Sequence, residues 1–196
     1  MEKLQEFELK IEDMQKDGVF AISLVDKPAI EEDFIYLSKE EVHLKVVNEE
    51  KRIVCGLALV PDKRIYRRVN DKEFNIFFTK ETINQANQLF MERLNLNNVT
   101  IDHEKQVQGV SVVESWIVED SKMDKSNLYN LNAVDGSWVV MMKVNNDEVW
   151  NDIKLGKYKG FSIEAMFSCL SEYLSKQEKN LNDELIEQIK ELLSKI

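Results

Sequence analysis

Short apolar runs bounded by turn residues recur along most of this chain, and such runs predict β-strands. The clearest run covers 19–25, between Asp17-Gly18 and Asp26-Lys27-Pro28, where the proline ends the strand. The same criteria predict further strands over 4–14, 30–37, 42–47, 53–60, 74–78, 99–102, 110–118, 137–144 and 158–167.

Apolar residues at helical spacing predict three helices among these strands. Thr79 is the predicted N-cap of the first, which runs to about Leu94, and Gly156 ends a short helix over 149–155. A change of composition at residue 171 introduces a C-terminal amphipathic helix. The pattern predicts an α+β fold built around an antiparallel sheet or barrel over 1–170, followed by a helical tail over 171–196.

Composition and charge narrow the classes of function. The chain has 196 residues, 43% of them hydrophobic, which is enough to fill a core. A net charge of −10 disfavours nonspecific binding to nucleic acid or to anionic membranes. Cys55 and Cys169 lie in apolar stretches and are predicted to be buried thiols in a reducing compartment. No Cys/His cluster or cofactor motif is present, so we expect neither a structural metal nor a cofactor.

The candidate chemistry centres on His103 and Ser162. A serine hydroxyl becomes a nucleophile when a positioned base takes its proton, and histidine is the usual base. The chain has only two histidines, and His43 is expected to face solvent because its neighbours Val42 and Leu44 face the core. Ser162 follows Gly160 within an apolar strand, where backbone can approach closely. Taken alone, a histidine and a serine also fit purely structural roles.

Glu164 is the candidate third member of this site. Side chains two residues apart on a strand share a face, so Ser162 and Glu164 flank one imidazole-sized space. An imidazole there could contact both, as in a serine, histidine and carboxylate triad. The alternative is that Glu164 is a solvated residue of an edge strand. Asp102 and Glu104 adjoin His103 in sequence but are expected to point away from it.

Other residues are weaker candidates for these roles. Ser111 and Ser115 lie in an alternating strand with no adjacent glycine and rank below Ser162 as nucleophiles. Glu114 and Asp135 are the reserve candidates for the acid. The absence of a Gly-x-Ser-x-Gly motif disfavours a small-molecule hydrolase of the α/β type.

Four segments resemble the XkdF-like phage serine proteases. They are the stretch over 17–34, Arg64-Ile65-Tyr66, Ile101-Asp102-His103 and Gly160-Phe161-Ser162-Ile163-Glu164. The resemblance covers about residues 17–168, and the wider group, the prohead proteases of tailed phages, is similar to herpesvirus assemblins. It implies a compact, mainly antiparallel β-barrel-like core flanked by helices. It also implies a serine endopeptidase of capsid maturation with Ser162 as nucleophile and His103 as base.

The resemblance also implies partners and a location. Scaffold and major capsid proteins would be the substrates, self-cleavage would occur, and the protein would act in the host bacterial cytoplasm inside the prohead. Relatives of the assemblin type carry their third triad member and oxyanion-stabilising backbone after the serine, whereas only about thirty residues follow Phe167 here. A catalytically inactive structural or scaffolding protein of the phage head is therefore the alternative, and the tail helix would form homo-oligomers or bind a partner.

Overall fold

The computed structural model describes residues 4–26, 44–69 and 72–175. Eleven strands are seen in these ranges, together with two α-helices, a further helical stretch over 168–175 and two short 3₁₀ turns. The strands are β1 Gln5–Leu9, β2 Gly18–Val25, β3 Lys45–Asn48, β4 Ile53–Leu59, β5 Ile65–Val69, β6 Lys72–Phe78, β7 Val99–Ile101, β8 Lys105–Gln106, β9 Val110–Ile117, β10 Trp138–Val144 and β11 Gly160–Met166. The helices are α1 Lys80–Glu92 and α2 Asp147–Lys154.

The described strands form three sheets. Their orders are β1-β6-β5, β3-β4-β10-β9 and β11-β2-β7-β8. Six of the eight strand pairings are antiparallel, and β1 with β6 and β2 with β7 are parallel. The α+β class and the mainly antiparallel pairing are confirmed. Within the described ranges each sheet is open, so the barrel-like closure that the sequence predicts is not confirmed.

One large hydrophobic core joins the sheets and helices. Trp138 on β10 is fully buried and meets Phe90 of α1 edge-on, with ring centroids 5.4 Å apart. The α1 helix begins where Thr79 accepts a hydrogen bond from the backbone of Thr82, and its apolar face packs on the sheets. None of the described helices is long and apolar enough to cross a membrane.

The sheet β11-β2-β7-β8 has two different faces. Ile22, Leu24 and Phe161 are buried in the core on one face. The alternate positions Ser23 and Ser162, which are directly paired across the two strands, therefore lie on the other face. Ser162 and Glu164, two residues apart on β11, lie on this second face, which is the part of the fold that the candidate chemistry occupies.

Most strand and helix boundaries follow the sequence prediction to within three residues. The exceptions are β1, which ends five residues before the predicted position 14, and β5 and β8, which the strand criteria do not predict. The predicted strand over 30–37 and His43 lie outside the described residues. The predicted tail over 171–196 is described only to residue 175, and residues 168–175 are helical. The domain division at 170 and the role of the tail in homo-oligomer formation stay predictions.

The buried carboxylate of Asp17 connects the N-terminal segment with the residues that follow β11. Asp17 is fully buried, and its side chain accepts hydrogen bonds from the backbone of Glu12 (2.8 Å) and Asp13 (3.0 Å). Its other oxygen accepts from the backbone (2.8 Å) and the hydroxyl (2.6 Å) of Ser168. Burial favours a higher pKa for Asp17, but the hydrogen bonds from Asp13, Ser168 and Glu12 outweigh it and lower the pKa below its ordinary value.

Replacing Asp17 with asparagine should therefore destabilise the protein at neutral pH. The substitution removes the charge and sets an amide donor against backbone donors, and we expect a loss of about 3 kcal/mol in the free energy of unfolding. Because the folded-state pKa is lowered, this contribution is present above the ordinary aspartate pKa and disappears as the pH falls through the folded value. The wild-type and Asp17→Asn unfolding curves in urea should thus converge in acid. Asp62→Asn, at an exposed position, is the matched control, and a constant difference at every pH would contradict the assignment.

Candidate active site

His103 lies at the tip of the hairpin between β7 and β8. Asp102 (φ 47°) and His103 (φ 60°) are both left-handed, and the backbone N–H of Glu104 donates to the carbonyl of Ile101 at 3.0 Å. This geometry is a type I′ turn, which usually contains asparagine or glycine. The sequence predicts that the strand before His103 includes Asp102. This prediction is wrong by one residue, because β7 ends at Ile101 and Asp102 belongs to the turn. A histidine at positive φ is an uncommon, strained conformation.

Hydrogen bonds to strand β2 hold the backbone of His103 and of the residue before it. Its N–H donates to the hydroxyl of Ser23 at 3.0 Å, and Ser23 is fully buried on the central strand β2. The backbone of Asp102 also donates to the carbonyl of Leu24 at 3.1 Å, which continues the parallel pairing of β2 and β7. The turn is therefore fixed to the strand that lies beside Ser162.

Glu164 meets the imidazole. His103 Nδ1 lies 3.4 Å from Glu164 Oε1, and the side chains are 38% and 20% exposed. The hydroxyl of Thr100 donates a hydrogen bond to the same carboxylate oxygen. Glu164 is thus not an isolated solvated residue of an edge strand. It contacts His103 and Thr100, which approach it from across β2.

Ser162 lies on the same face of β11 as Glu164. The register pairs Ser162 with Ser23 and Glu164 with Ala21, without a shift between them, so the predicted two-residue spacing holds. Ser162 is half-buried, and its hydroxyl forms no hydrogen bond with any other described residue. Hydrogen bonds between nucleophile and base are often loose before substrate binds, so the unbonded hydroxyl does not exclude Ser162 as the nucleophile.

The weaker candidates have other partners. The Ser115 hydroxyl donates to Asn87 (2.6 Å) and accepts from the indole of Trp138 (2.8 Å), so both of its hydrogen-bonding roles are already used. Ser111 binds an asparagine on the surface. Glu114 forms an ion pair with Lys125, and Asp135 accepts from the backbone of Ser121 at 2.8 Å. Neither acid contacts His103 in the described part of the chain.

The cysteines are poorly suited to nucleophilic chemistry. Burial raises the pKa of the Cys55 thiol to about 12, so its reactive thiolate is scarce at neutral pH. Burial also raises the pKa of Cys169. Cys169 is half-buried, rather than buried as predicted, and both thiols are free. The described residues contain no group of three or more His, Cys, Asp or Glu side chains that could hold a metal ion.

Sequence reasoning missed two residues of this face, Ser23 and Thr100. The parallel pairing of β2 with β7 places Thr100 beside Ser23, although the two are far apart in sequence. No local motif marks either residue. Two features of the sequence could have pointed to them. Thr100 lies three positions before His103, and Ser23 is the one hydroxyl residue in the apolar run over 19–25.

Comparison with known proteins identifies the family. A family model described as "Putative phage serine protease XkdF" matches residues 41–171. This is about two thirds of the chain, and it includes His103, Ser162 and Glu164. The chain belongs to this XkdF family of phage proteins, as the resemblance in the sequence predicts.

Two relatives come from Bacillus subtilis (strain 168). The phage-like element PBSX protein XkdF is 28% identical over 151 residues, covering 72% of this chain and 50% of the relative. The uncharacterized protein YqbD is 27% identical over 172 residues, covering 83% of this chain and 48% of the relative. The chain thus spans about half the length of the curated relatives it matches. No solved structure matches it.

Proposed function

We propose that this chain is a serine endopeptidase in which Ser162 is the nucleophile, His103 the general base and Glu164 the residue that orients the base. The observation that supports it most strongly is the contact of His103 Nδ1 with Glu164, two residues after Ser162 on one strand face. In a triad, the carboxylate faces Nδ1 and leaves Nε2 to exchange a proton with the serine. The family description supports the same class of reaction.

The proposed reaction proceeds in two steps. Ser162 Oγ attacks the peptide carbonyl carbon while its proton passes to His103 Nε2, and the same proton then protonates the leaving amine. Water next attacks the acyl-enzyme ester, giving up a proton to Nε2, which returns it to Ser162 Oγ as the acid leaves. Glu164 keeps its charge throughout and stabilises the imidazolium that forms in each step.

We further propose that this activity serves capsid maturation. The proposed substrates are the scaffold and major capsid proteins and the protease itself, inside a prohead in the host bacterial cytoplasm. Support for this comes from the resemblance of the four sequence segments to prohead proteases. Co-expression with the scaffold and capsid proteins of the same phage, followed by mass spectrometry of the products, tests these substrates directly.

The alternative is a structural head protein that retains the fold without the activity. The absence of a hydrogen bond from the Ser162 hydroxyl to any described residue favours this alternative. A fluorophosphonate probe separates the two, because it reacts covalently with a serine only when a neighbouring base activates it. Labelling at Ser162, located by peptide mass analysis, supports the protease, and an unlabelled folded protein supports the structural role.

Replacing Glu164 with glutamine should slow the fluorophosphonate reaction on the order of 10²-fold or more. The amide keeps the size of the side chain but removes the charge that stabilises the imidazolium and fixes its tautomer. The second-order labelling rate measures the effect, and the unfolding midpoint shows whether packing has changed. Glu114→Gln, on a different sheet, is the matched control and should react as the wild type does. An unchanged rate in Glu164→Gln would remove Glu164 from the mechanism.

A further inference from the structure

We propose that Thr100 and Ser23 are positioning residues of this site, Thr100 acting through Glu164 and Ser23 acting through His103. The proposal rests on the proposed function, because it concerns how the same three groups are held. It starts from one structural observation, a row of three hydroxyl groups that runs across adjacent strands.

The row is set by strand register. Ser162 on β11 pairs with Ser23 on β2, and Ser23 pairs with Thr100 on β7. Directly paired residues share a face, so all three hydroxyls lie on the face opposite the core. Ser162 forms no hydrogen bond with a described residue, whereas each of the other two hydroxyls binds one of its proposed partners.

Thr100 controls the direction of the Glu164 carboxylate. Glu164 is paired with Ala21, whose small side chain leaves space above β2. The glutamate side chain crosses this space and accepts the Thr100 hydroxyl on Oε1, the same oxygen that faces His103 Nδ1. A β-branched threonine has few χ1 rotamers, and hydrogen bonds to a charged acceptor are stronger than neutral ones. Thr100 therefore selects the carboxylate position that contacts the imidazole.

Ser23 controls the backbone that carries His103. Its hydroxyl accepts the His103 N–H at 3.0 Å, and no other described N–H or hydroxyl donates to it. The turn has two consecutive left-handed residues without glycine, a conformation that persists only when its surroundings hold it. Ser23 supplies part of that hold from a fully buried position beside Ser162.

The first experiment compares Thr100→Val with Thr100→Ser, using the fluorophosphonate labelling rate. Valine keeps the shape and removes the hydroxyl, and we expect labelling to fall about tenfold, which corresponds to one hydrogen bond to a charged group. Serine retains the hydroxyl and should restore most of the rate. In a Glu164→Gln background, Thr100→Val should change the rate less than twofold, because a residue that acts through Glu164 has no effect once its charge is gone. A role in packing alone would give the same factor in both backgrounds.

The second experiment measures the effect on the His103 backbone and the effect on the His103 imidazole separately. Ser23→Ala should speed hydrogen exchange at the His103 amide at least tenfold and lower the labelling rate, whereas Thr100→Val should leave that amide protected. The chain has only two histidines, so the His103 imidazole nitrogen signals are assigned with one variant. Thr100→Val should move them toward the mixture of tautomers found in a free histidine, and Thr100→Ser should not.

The outcomes distinguish this proposal from the proposed function. If wild-type Ser162 is not labelled, the proposed function fails, and the exchange and imidazole measurements still decide whether the two hydroxyls hold Glu164 and His103. If Ser162 is labelled but Thr100→Val and Ser23→Ala react at the wild-type rate, the positioning roles are wrong and the protease remains. Ser111→Ala, which removes a surface hydroxyl on β9, is the control that should change neither measurement.

Discussion

Ser162→Ala should abolish proteolysis and fluorophosphonate labelling while leaving the fold intact. The substitution removes one half-buried hydroxyl that has no hydrogen-bond partner among the described residues, so no buried group loses a partner. We therefore expect the free energy of unfolding to change by less than about 1 kcal/mol. The rate should fall by about 10⁴-fold or more, as when the nucleophile of a triad is removed.

Two measurements check this result on the same samples. Self-cleavage and cleavage of co-expressed scaffold are followed by mass spectrometry, and unfolding in urea is followed by circular dichroism. Ser111→Ala is the matched serine variant and should cleave normally. Undiminished cleavage by Ser162→Ala would assign the activity to another residue, and a large loss of stability would show that the hydroxyl is structural.

His103→Asn should be nearly as damaging to activity, and it is a better test than alanine. His103 has φ 60°, a conformation that asparagine adopts more readily than alanine. Asparagine is also favoured in type I′ turns, so the hairpin should be retained or slightly stabilised while the base is lost. We expect the labelling rate to fall by about 10⁴-fold.

Combining His103→Asn with Glu164→Gln tests whether the two residues form one unit. Since Glu164 is proposed to act only through His103, the double variant should be no slower than His103→Asn alone. A further tenfold loss in the double variant would mean that Glu164 acts on the reaction by itself. His43→Asn is the control, because the chain contains no third histidine.

The local parts of this fold could be predicted from the sequence. Strand β2 is predicted by the apolar run over 19–25, and helix α1 by the Thr79 cap and the helical spacing that follows it. Both signals depend only on residues that are close together in the sequence. The period-two rule likewise predicts that Ser162 and Glu164 share a face.

The long-range parts could not be predicted in the same way. The parallel pairing of β2 with β7 joins residues that are 77 positions apart in the sequence, such as Ile22 and Val99, and no periodicity encodes it. The turn at Asp102-His103 lacks the glycine that usually marks a type I′ hairpin, so the sequence pattern predicts a strand that is one residue too long. Ser23 and Thr100 acquire their contacts only from these two features, and they were missed for that reason.

The positions of these strands along the chain also determine when the site can form during synthesis. β2 is made early, the hairpin that carries His103 about 80 residues later, and Glu164 a further 61 residues on. β11 pairs with β2 on the edge opposite to β7, so this pairing can form only after Glu164 has been made. Contacts this distant in sequence form slowly, since loop closure precedes the stabilisation they bring. A growing chain therefore cannot bring Ser162, His103 and Glu164 together until β11 has been made and has joined the sheet.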